Sequence, residues 1–261
     1  DIMLRIMALP YIREGKAIGK VLEFGGPAVA ALPMDERATL TNMAVEAGAT
    51  TGVVAADEEV LRYLAKMRPG LNTDALRDRL MEPDAGASYS ETFHIDLSDL
   101  TLMVATPGDP RNGVPLASLT EPVSIDIAYG GSCTGGKMTD MDMYASVLSA
   151  AVERGLSVAD GVDLYIQFGS QKIKAYAVEQ GYLELFANAG AQTIDPSCGA
   201  CIKAGPGVSR APGQVTVSAI NRNFPGRSGP GNVYLASPLV VAASAIKGRL
   251  ASPEEIWSAP A

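Results

Sequence analysis

Hydrophobic and polar positions keep no single period along this chain, and the changes of period outline its elements. Residues 1–9 carry the spacing of a short amphipathic helix. Residues 16–24 (Lys-Ala-Ile-Gly-Lys-Val-Leu-Glu-Phe) alternate as a strand does and stop at Gly25-Gly26-Pro27. Pro33 and Asp35 open a helix expected to run through Ala47 and close at Gly48. Thr51 to Ala56 reads as a buried strand, and Asp57 caps a helix over 58–67. Residues 68–88 are polar, a loop with one helical insert at 74–81. Two strands are expected at 91–97 and 100–105. Turn formers then crowd 106–122, which reads as a linker with a domain boundary near residue 118.

Beyond that point strand and helix alternate. Strands are expected at 123–129, 162–168, 192–194 and 215–220, with helices at 141–154, 171–188 and 238–247. This alternation predicts an α/β fold with a doubly wound, mostly parallel sheet. In such sheets ligands bind in the crevice beyond the carboxyl ends of the strands.

Composition narrows the function classes. A length of 261 residues allows one large domain or two ordinary ones, and 47% apolar content supplies a full core. The formal net charge of −8 opposes general nucleic-acid binding through phosphates. No apolar run reaches a membrane span and no signal peptide is visible. Three cysteines form no even framework, which points to a reducing compartment, the cytoplasm. The chain begins at Asp1 inside an expected helix, so a piece or a processed form of a longer protein is expected.

The candidate chemistry sits at those cysteines. Cys133 lies in Gly131-Ser132-Cys133-Thr134-Gly135-Gly136, and Cys198 and Cys201 form a C-x-x-C. Three thiolates on a cubane iron–sulfur cluster leave one iron open to water or substrate. Buried small hydrophobes, a redox pair, or a zinc site with His94 (the single histidine) are the other readings of the same residues. Glycines around Cys133 allow close backbone approach, and no phosphate-loop pattern accompanies them. Arg222 and Arg227, in a loop rich in Gly, Pro and Asn, suit the carboxylates of a di- or tricarboxylic acid, or form a solvated pair. Asn42 and Glu46, four apart on the expected helix, share a face and could orient a substrate, or belong to a solvated face. His94 reads as a hydrogen-bonded structural residue.

Together these stretches resemble the aconitase superfamily, and within it large subunits of the 3-isopropylmalate dehydratase and homoaconitase type. The match runs in order through Gly19-Lys20-Val21-Leu22-Glu23-Phe24, Thr41-Asn42-Met43-Ala44-Val45-Glu46-Ala47-Gly48-Ala49, Gly131-Ser132-Cys133-Thr134, Cys198-Gly199-Ala200-Cys201 and Ala219-Ile220-Asn221-Arg222-Asn223-Phe224-Pro225-Gly226-Arg227. The resemblance implies aconitase-type three-layer α/β/α domains with mostly parallel sheets, divided as 1–118 and 119–261. It implies that Cys133, Cys198 and Cys201 hold a [4Fe-4S] cluster, that Arg222, Arg227 and Asn221 bind substrate, and that Glu46 and Asn42 are catalytic. The implied reaction is dehydration and rehydration of a 2-hydroxy acid, 2-/3-isopropylmalate in leucine biosynthesis. Citrate, homocitrate or a methylated malate is the alternative substrate, and a cluster-free, non-catalytic remnant the alternative role. The implied partners are a small swivelling-domain subunit and an N-terminal domain with catalytic Asp/His pairs, neither of which has a counterpart here. The chain alone is accordingly expected to be inactive. Two positions depart from the family pattern: Gly135 stands where it has Asn, and Ala219 where it has Ser.

Overall fold

The structure is a computed structural model, and it describes residues 1–258. The amino-terminal part contains α1 (Ile2–Met7), α2 (Pro10–Arg13), β1 (Val21–Phe24), α3 (Pro27–Ala30), α4 (Met34–Asn42), β2 (Thr51–Val54), α5 (Glu58–Met67) and α6 (Asp74–Arg77). β1 and β2 pair in parallel as a separate two-stranded sheet, Val21 opposite Thr51. Asp57 caps α5 by accepting the N–H groups of Glu59 and Val60, as its sequence implies. The Asp57 carboxylate also takes both terminal nitrogens of Arg37 at 2.7 and 2.9 Å, and Arg37, almost fully buried, donates further to the carbonyls of Leu32 and Ala30. This one guanidinium ties α3, α4 and the start of α5 together.

The larger sheet has seven strands in the order β4-β3-β9-β8-β5-β6-β7. These are β3 (Met103–Ala105), β4 (Gly113–Pro115), β5 (Ile127–Gly130), β6 (Asp163–Gln167), β7 (Ala191–Ile194), β8 (Val215–Ser218) and β9 (Asn232–Ala236). Strands β5 to β9 are parallel, and β3 and β4 add an antiparallel edge. Between and after them come α7 (Ser132–Gly135), α8 (Met138–Val152), α9 (Gln171–Glu179), α10 (Tyr182–Asn188), α11 (Pro238–Lys247) and α12 (Glu254–Trp257).

The period of two along the strands divides the core into two layers. Ala128, Leu164, Ile166 and Val217 pack with Met141, Leu148, Phe186 and Val241 of α8, α10 and α11. Ile127, Tyr129, Tyr165 and Leu235 face the other way, against Met3, Met7, Ile12 and Leu40 of α1, α2 and α4. Helices thus cover both faces, the three-layer α/β/α arrangement expected from the sequence. Chain order reverses between β5 and β8, so the loops leaving those strands diverge there and open a crevice.

Several expectations are corrected. The strand over 16–24 shrinks to Val21–Phe24, because Gly19 takes a positive φ of 74° that ends the extended run. β2 is not buried: its residues alternate between exposed and half-buried. The 91–97 stretch forms no strand, and His94 lies exposed in irregular chain. The helix over 171–188 breaks into α9 and α10 at Gly181, in the left-handed region at φ 75°. Residues 106–122 hold β4 and a 3-10 turn at Leu116–Ser118. The expected boundary at 118 therefore follows two strands that belong to the large sheet. β9 was not foreseen, since it abuts the Ser237-Pro238 start of α11 with no turn between.

Candidate functional site

The site lies at the carboxyl ends of the parallel strands. Cys133 sits in the short helix directly after β5. Cys198 and Cys201 follow β7, with Gly199–Ile202 as a 3-10 turn. Asn221, Arg222 and Arg227 lie in the loop after β8. All three cysteines are free thiols, Cys133 and Cys198 exposed and Cys201 buried.

Asn42 and Glu46 reach the same place by a route the sequence did not reveal. α4 stops at Asn42, and residues 43–48 continue as turns. Thr39 and Thr41 bond back to carbonyls one turn earlier, at Asp35 and at Arg37 and Ala38, which competes with helix propagation. The two side chains therefore diverge. Asn42 Nδ2 donates to Thr134 Oγ1 at 2.8 Å and lies 3.7 Å from Cys133 Sγ. Glu46 goes to the β8 loop, where its Oε1 accepts from Asn221 Nδ2 at 2.7 Å and from Arg222 Nε at 2.6 Å. The Glu46 side chain is 1% exposed, and its Oε2 has no hydrogen-bond partner among the described residues. A buried carboxylate oxygen left open costs free energy unless something else occupies it. The hydrogen bond to Glu46 holds the Arg222 guanidinium more firmly protonated than usual, against its burial.

Asn221 also touches Cys201, with Sγ 3.6 Å from Oδ1. Burial pushes the Cys201 thiol up, and the Arg227 guanidinium hydrogen-bonded to it pulls the other way; the charge of Cys133 is felt there too. Arg227 Nε is itself buried and without a partner among the described residues. Thus Cys133, Cys201, Asn42, Glu46, Asn221, Arg222 and Arg227 converge, while His94 takes no part in these contacts.

Among the described residues, no three His, Cys, Asp or Glu side chains stand close enough to hold a single metal ion. A cluster is a larger body than an ion, and the fit to it rests on other features. Three free thiols stand beyond strand ends, and the guanidinium groups of Arg227 and Arg222 face Cys201. A thiolate set with nearby cations suits an anionic iron–sulfur cluster.

Four supporting residues were not singled out from the sequence. At the start of α8 the Asp140 carboxylate accepts the backbone N–H of Lys137 at 2.8 Å, and the two side chains pair at 2.6 Å, 11% and 4% exposed. Lys137 Nζ also donates to the carbonyl of Thr134, beside Cys133. Burial raises the Asp140 carboxyl above the usual range although Lys137 opposes it. Spacing alone would have found this pair only by admitting lysine as a cap residue, which the usual cap preferences exclude. Tyr129 and Gln167, at the ends of β5 and β6, are polar groups inside apolar strands, which was the available signal. The two departures from the family pattern prove to be neighbours: a Cβ on Gly135 would lie 2.7 Å from Ala219 Cβ, so no larger side chain fits at 135 without a shift.

Residues 1–248 match the aconitase family (aconitate hydratase). The chain is 40% identical to the 2,3-dimethylmalate dehydratase large subunit of Eubacterium barkeri, over 98% of this chain and 58% of that protein. It is 38% identical to the 3-isopropylmalate dehydratase large subunit of Clostridioides difficile, with the same coverage. It is 41% identical to the 3-isopropylmalate dehydratase large subunit 1 of Pyrococcus furiosus, over 92% of this chain and 54% of that protein. The chain thus spans a little over half the length of these curated relatives. Among the described residues no helix is long and apolar enough to cross a membrane.

Proposed function

The chain belongs to the aconitase family, and from that membership we propose that it forms the cluster-bearing part of a hydro-lyase large subunit. Its substrate is a small 2-hydroxy dicarboxylic acid, 2-/3-isopropylmalate in leucine biosynthesis. The observation that carries this reading is the convergence of Glu46, Asn221 and Arg222 beside Cys201, across 175 residues of sequence. A buried, partly unpaired carboxylate next to guanidinium groups and thiols is a setting for proton transfer on an anionic substrate.

In this proposal Cys133, Cys198 and Cys201 hold a [4Fe-4S] cluster. When bound, the cluster supplies a Lewis acid that weakens the carbon–oxygen bond of the substrate hydroxyl. The chain's own residues do the rest. Arg222 and Arg227 bind carboxylates through their planar forks. Glu46 offers its unpaired Oε2 to the proton that accompanies the departing or arriving hydroxyl. Asn221 and Asn42 orient the groups around it. A small swivelling-domain subunit and the portion of the relatives' length this chain does not span complete the site, so the isolated chain is inactive. The division into two aconitase-type units belongs to the same proposal, with β3 and β4 counted in the second unit. Free thiols fit a cytoplasmic setting, and the −8 charge fits the absence of nucleic-acid binding.

A second reading, dehydration of a 2,3-dialkylated malate, is favoured by the 40% identity to the dimethylmalate enzyme subunit. The test is iron and sulfide content with an electron paramagnetic resonance spectrum after anaerobic reconstitution. About four irons per chain, lost in Cys198→Ala, are expected. No iron in either protein would sink the reading and favour a remnant. Assays of isopropylmalate, dimethylmalate and citrate on the chain assembled with a small subunit and the remainder of a large subunit would then separate the substrates.

A further inference from the structure

We infer that Tyr129 and Gln167 are positioning residues that fix the C-x-x-C loop to the sheet and so set where Cys198 and Cys201 stand. The inference rests on the cluster reading above only where it speaks of iron; its geometric part concerns the thiols alone.

Tyr129 and Gln167 lie at the carboxyl ends of adjacent strands, β5 and β6, and both are fully buried. Strand alternation puts the Tyr129 ring on the sheet face shared with Ala200 and Cys201. The Tyr129 hydroxyl donates to Gln167 Oε1 at 2.8 Å. Gln167 Nε2 in turn donates to Ser197 Oγ at 2.6 Å and to the carbonyl of Asp195 at 3.3 Å. The backbone N–H of Ala200, between the two cysteines, lies against the phenol oxygen, and burial raises that phenol to about 12 so that it stays a neutral donor. The relay therefore runs from the sheet to both sides of Cys198. Its glutamine uses its oxygen and its nitrogen, which leaves no buried polar group of the pair idle.

The loop is also shaped to the ring. Gly199 and Gly207 have positive φ values of 52° and 83°, and a Cβ at either would meet Tyr129 at 2.3 and 2.2 Å. The backbone thus closes on the ring from two sides, and only glycine permits that approach. Neither tyrosine nor glutamine needs to be polar for the strands to form, since an apolar residue fills a strand end as well. Their polarity serves the loop. No other role in the site accounts for them, because neither faces Glu46, Asn221 or the arginines in the contacts described.

The experiment compares wild type with Tyr129→Phe, Gln167→Leu and Ser197→Ala, each without cluster and after anaerobic reconstitution. In the cluster-free protein, alkylation rates of the individual cysteines are read by mass spectrometry. The buried Cys201 is expected to react about five- to tenfold faster in Tyr129→Phe, the factor a hydrogen bond of ordinary net strength sets. Cys133 is expected to keep its rate. Gln167→Leu is expected to match or exceed Tyr129→Phe, a variant combining the two to add little, and Ser197→Ala, an exposed site that tolerates change, to give a smaller rise in the same sense. In the reconstituted protein, iron release to a chelator is expected to speed up by a similar factor, with a changed paramagnetic resonance line shape. Equal acceleration at Cys133 and Cys201 would mean general loosening and would overturn the assignment, as would unchanged Cys201 rates. Failure of wild type to take up iron would sink the cluster reading while leaving the thiol result to decide this one.

Discussion

The two cysteine-bearing loops are held in place by opposite means. The turn of Cys133 is secured by a buried ion pair, Lys137 with Asp140, and by Asn42 arriving from the amino-terminal part. Asp35 adds a second tie just beyond that turn, accepting the N–H of Thr139 in the first turn of α8. The C-x-x-C loop is secured by neutral hydrogen bonds and a ring clasped by glycine backbone, all rooted in the large sheet. The Cys133 turn therefore takes side-chain hydrogen bonds directly from the amino-terminal part, whereas the C-x-x-C loop meets that part through apolar packing of Ala200 and Cys201 and through Asn221. A charge pair also behaves unlike a neutral relay when broken: removing one charge strands the other in low dielectric, whereas losing one neutral hydrogen bond costs far less.

Four perturbations would break or sharpen this contrast. Asp140→Asn, which keeps the shape and abandons Lys137, is expected to destabilise the chain by about 3–5 kcal/mol in denaturant unfolding. It should free the Cys133 turn before the C-x-x-C loop, as read by thiol labelling below the unfolding midpoint. Gly207→Ala drives a methyl into Tyr129 at a left-handed backbone position and is expected to cost about 3 kcal/mol, with the labelling order reversed. If both variants exposed the same thiol first, the two loops would share one anchor and the contrast would fail. Asn42→Ala removes a single bond to Thr134, an expected loss of about 1 kcal/mol, felt at Cys133 alone. The smallest effect concerns acid. The Arg37 hydrogen bonds hold the Asp57 carboxyl below the usual range, against its modest desolvation. Its contribution is present above the ordinary carboxylate pKa of about 4 and is lost as pH falls through the depressed value. Hydrogen exchange at α3 to α5 should accelerate in that window while the large sheet stays protected, and Asp57→Asn should flatten the response.

Much of the large sheet was legible because its central parallel strands β5, β6 and β8 are largely buried and read as apolar runs between helices. The cysteines and Arg222 were legible because each stands just beyond such a run, where a doubly wound sheet gathers its ligands. The meeting of Asn42 with Cys133 and of Glu46 with Arg222 was legible only in outcome. A shared helix face was the expected route, and back-bonding threonines end that helix at Asn42 instead. β9 escaped because a strand running straight into a helix offers no turn to mark it. Lys137 and Asp140 escaped because a lysine cap contradicts preference, and burial, which makes the pair matter, is a tertiary fact. The division of the chain was blurred by the hairpin β3–β4, whose second strand lies inside the turn-rich stretch and whose first strand pairs with β9, more than a hundred residues later.

The contact between Glu46 and Asn221 has a consequence in time as well as in space. Its partners are 175 residues apart, so the chain must close one of its longest loops to make it. Closing so long a loop brings no reward until both ends are already structured, and such contacts form late. The carboxylate and guanidinium that would act on a substrate thus come together only after the sheet and its loops exist. A half-folded chain can offer thiols to iron but no assembled Glu46–Asn221–Arg222 cluster. In refolding experiments, hydrogen-exchange protection at α8 and α11 should precede the burial of Glu46, and a variant reversing that order would show that the site nucleates the fold instead of sealing it.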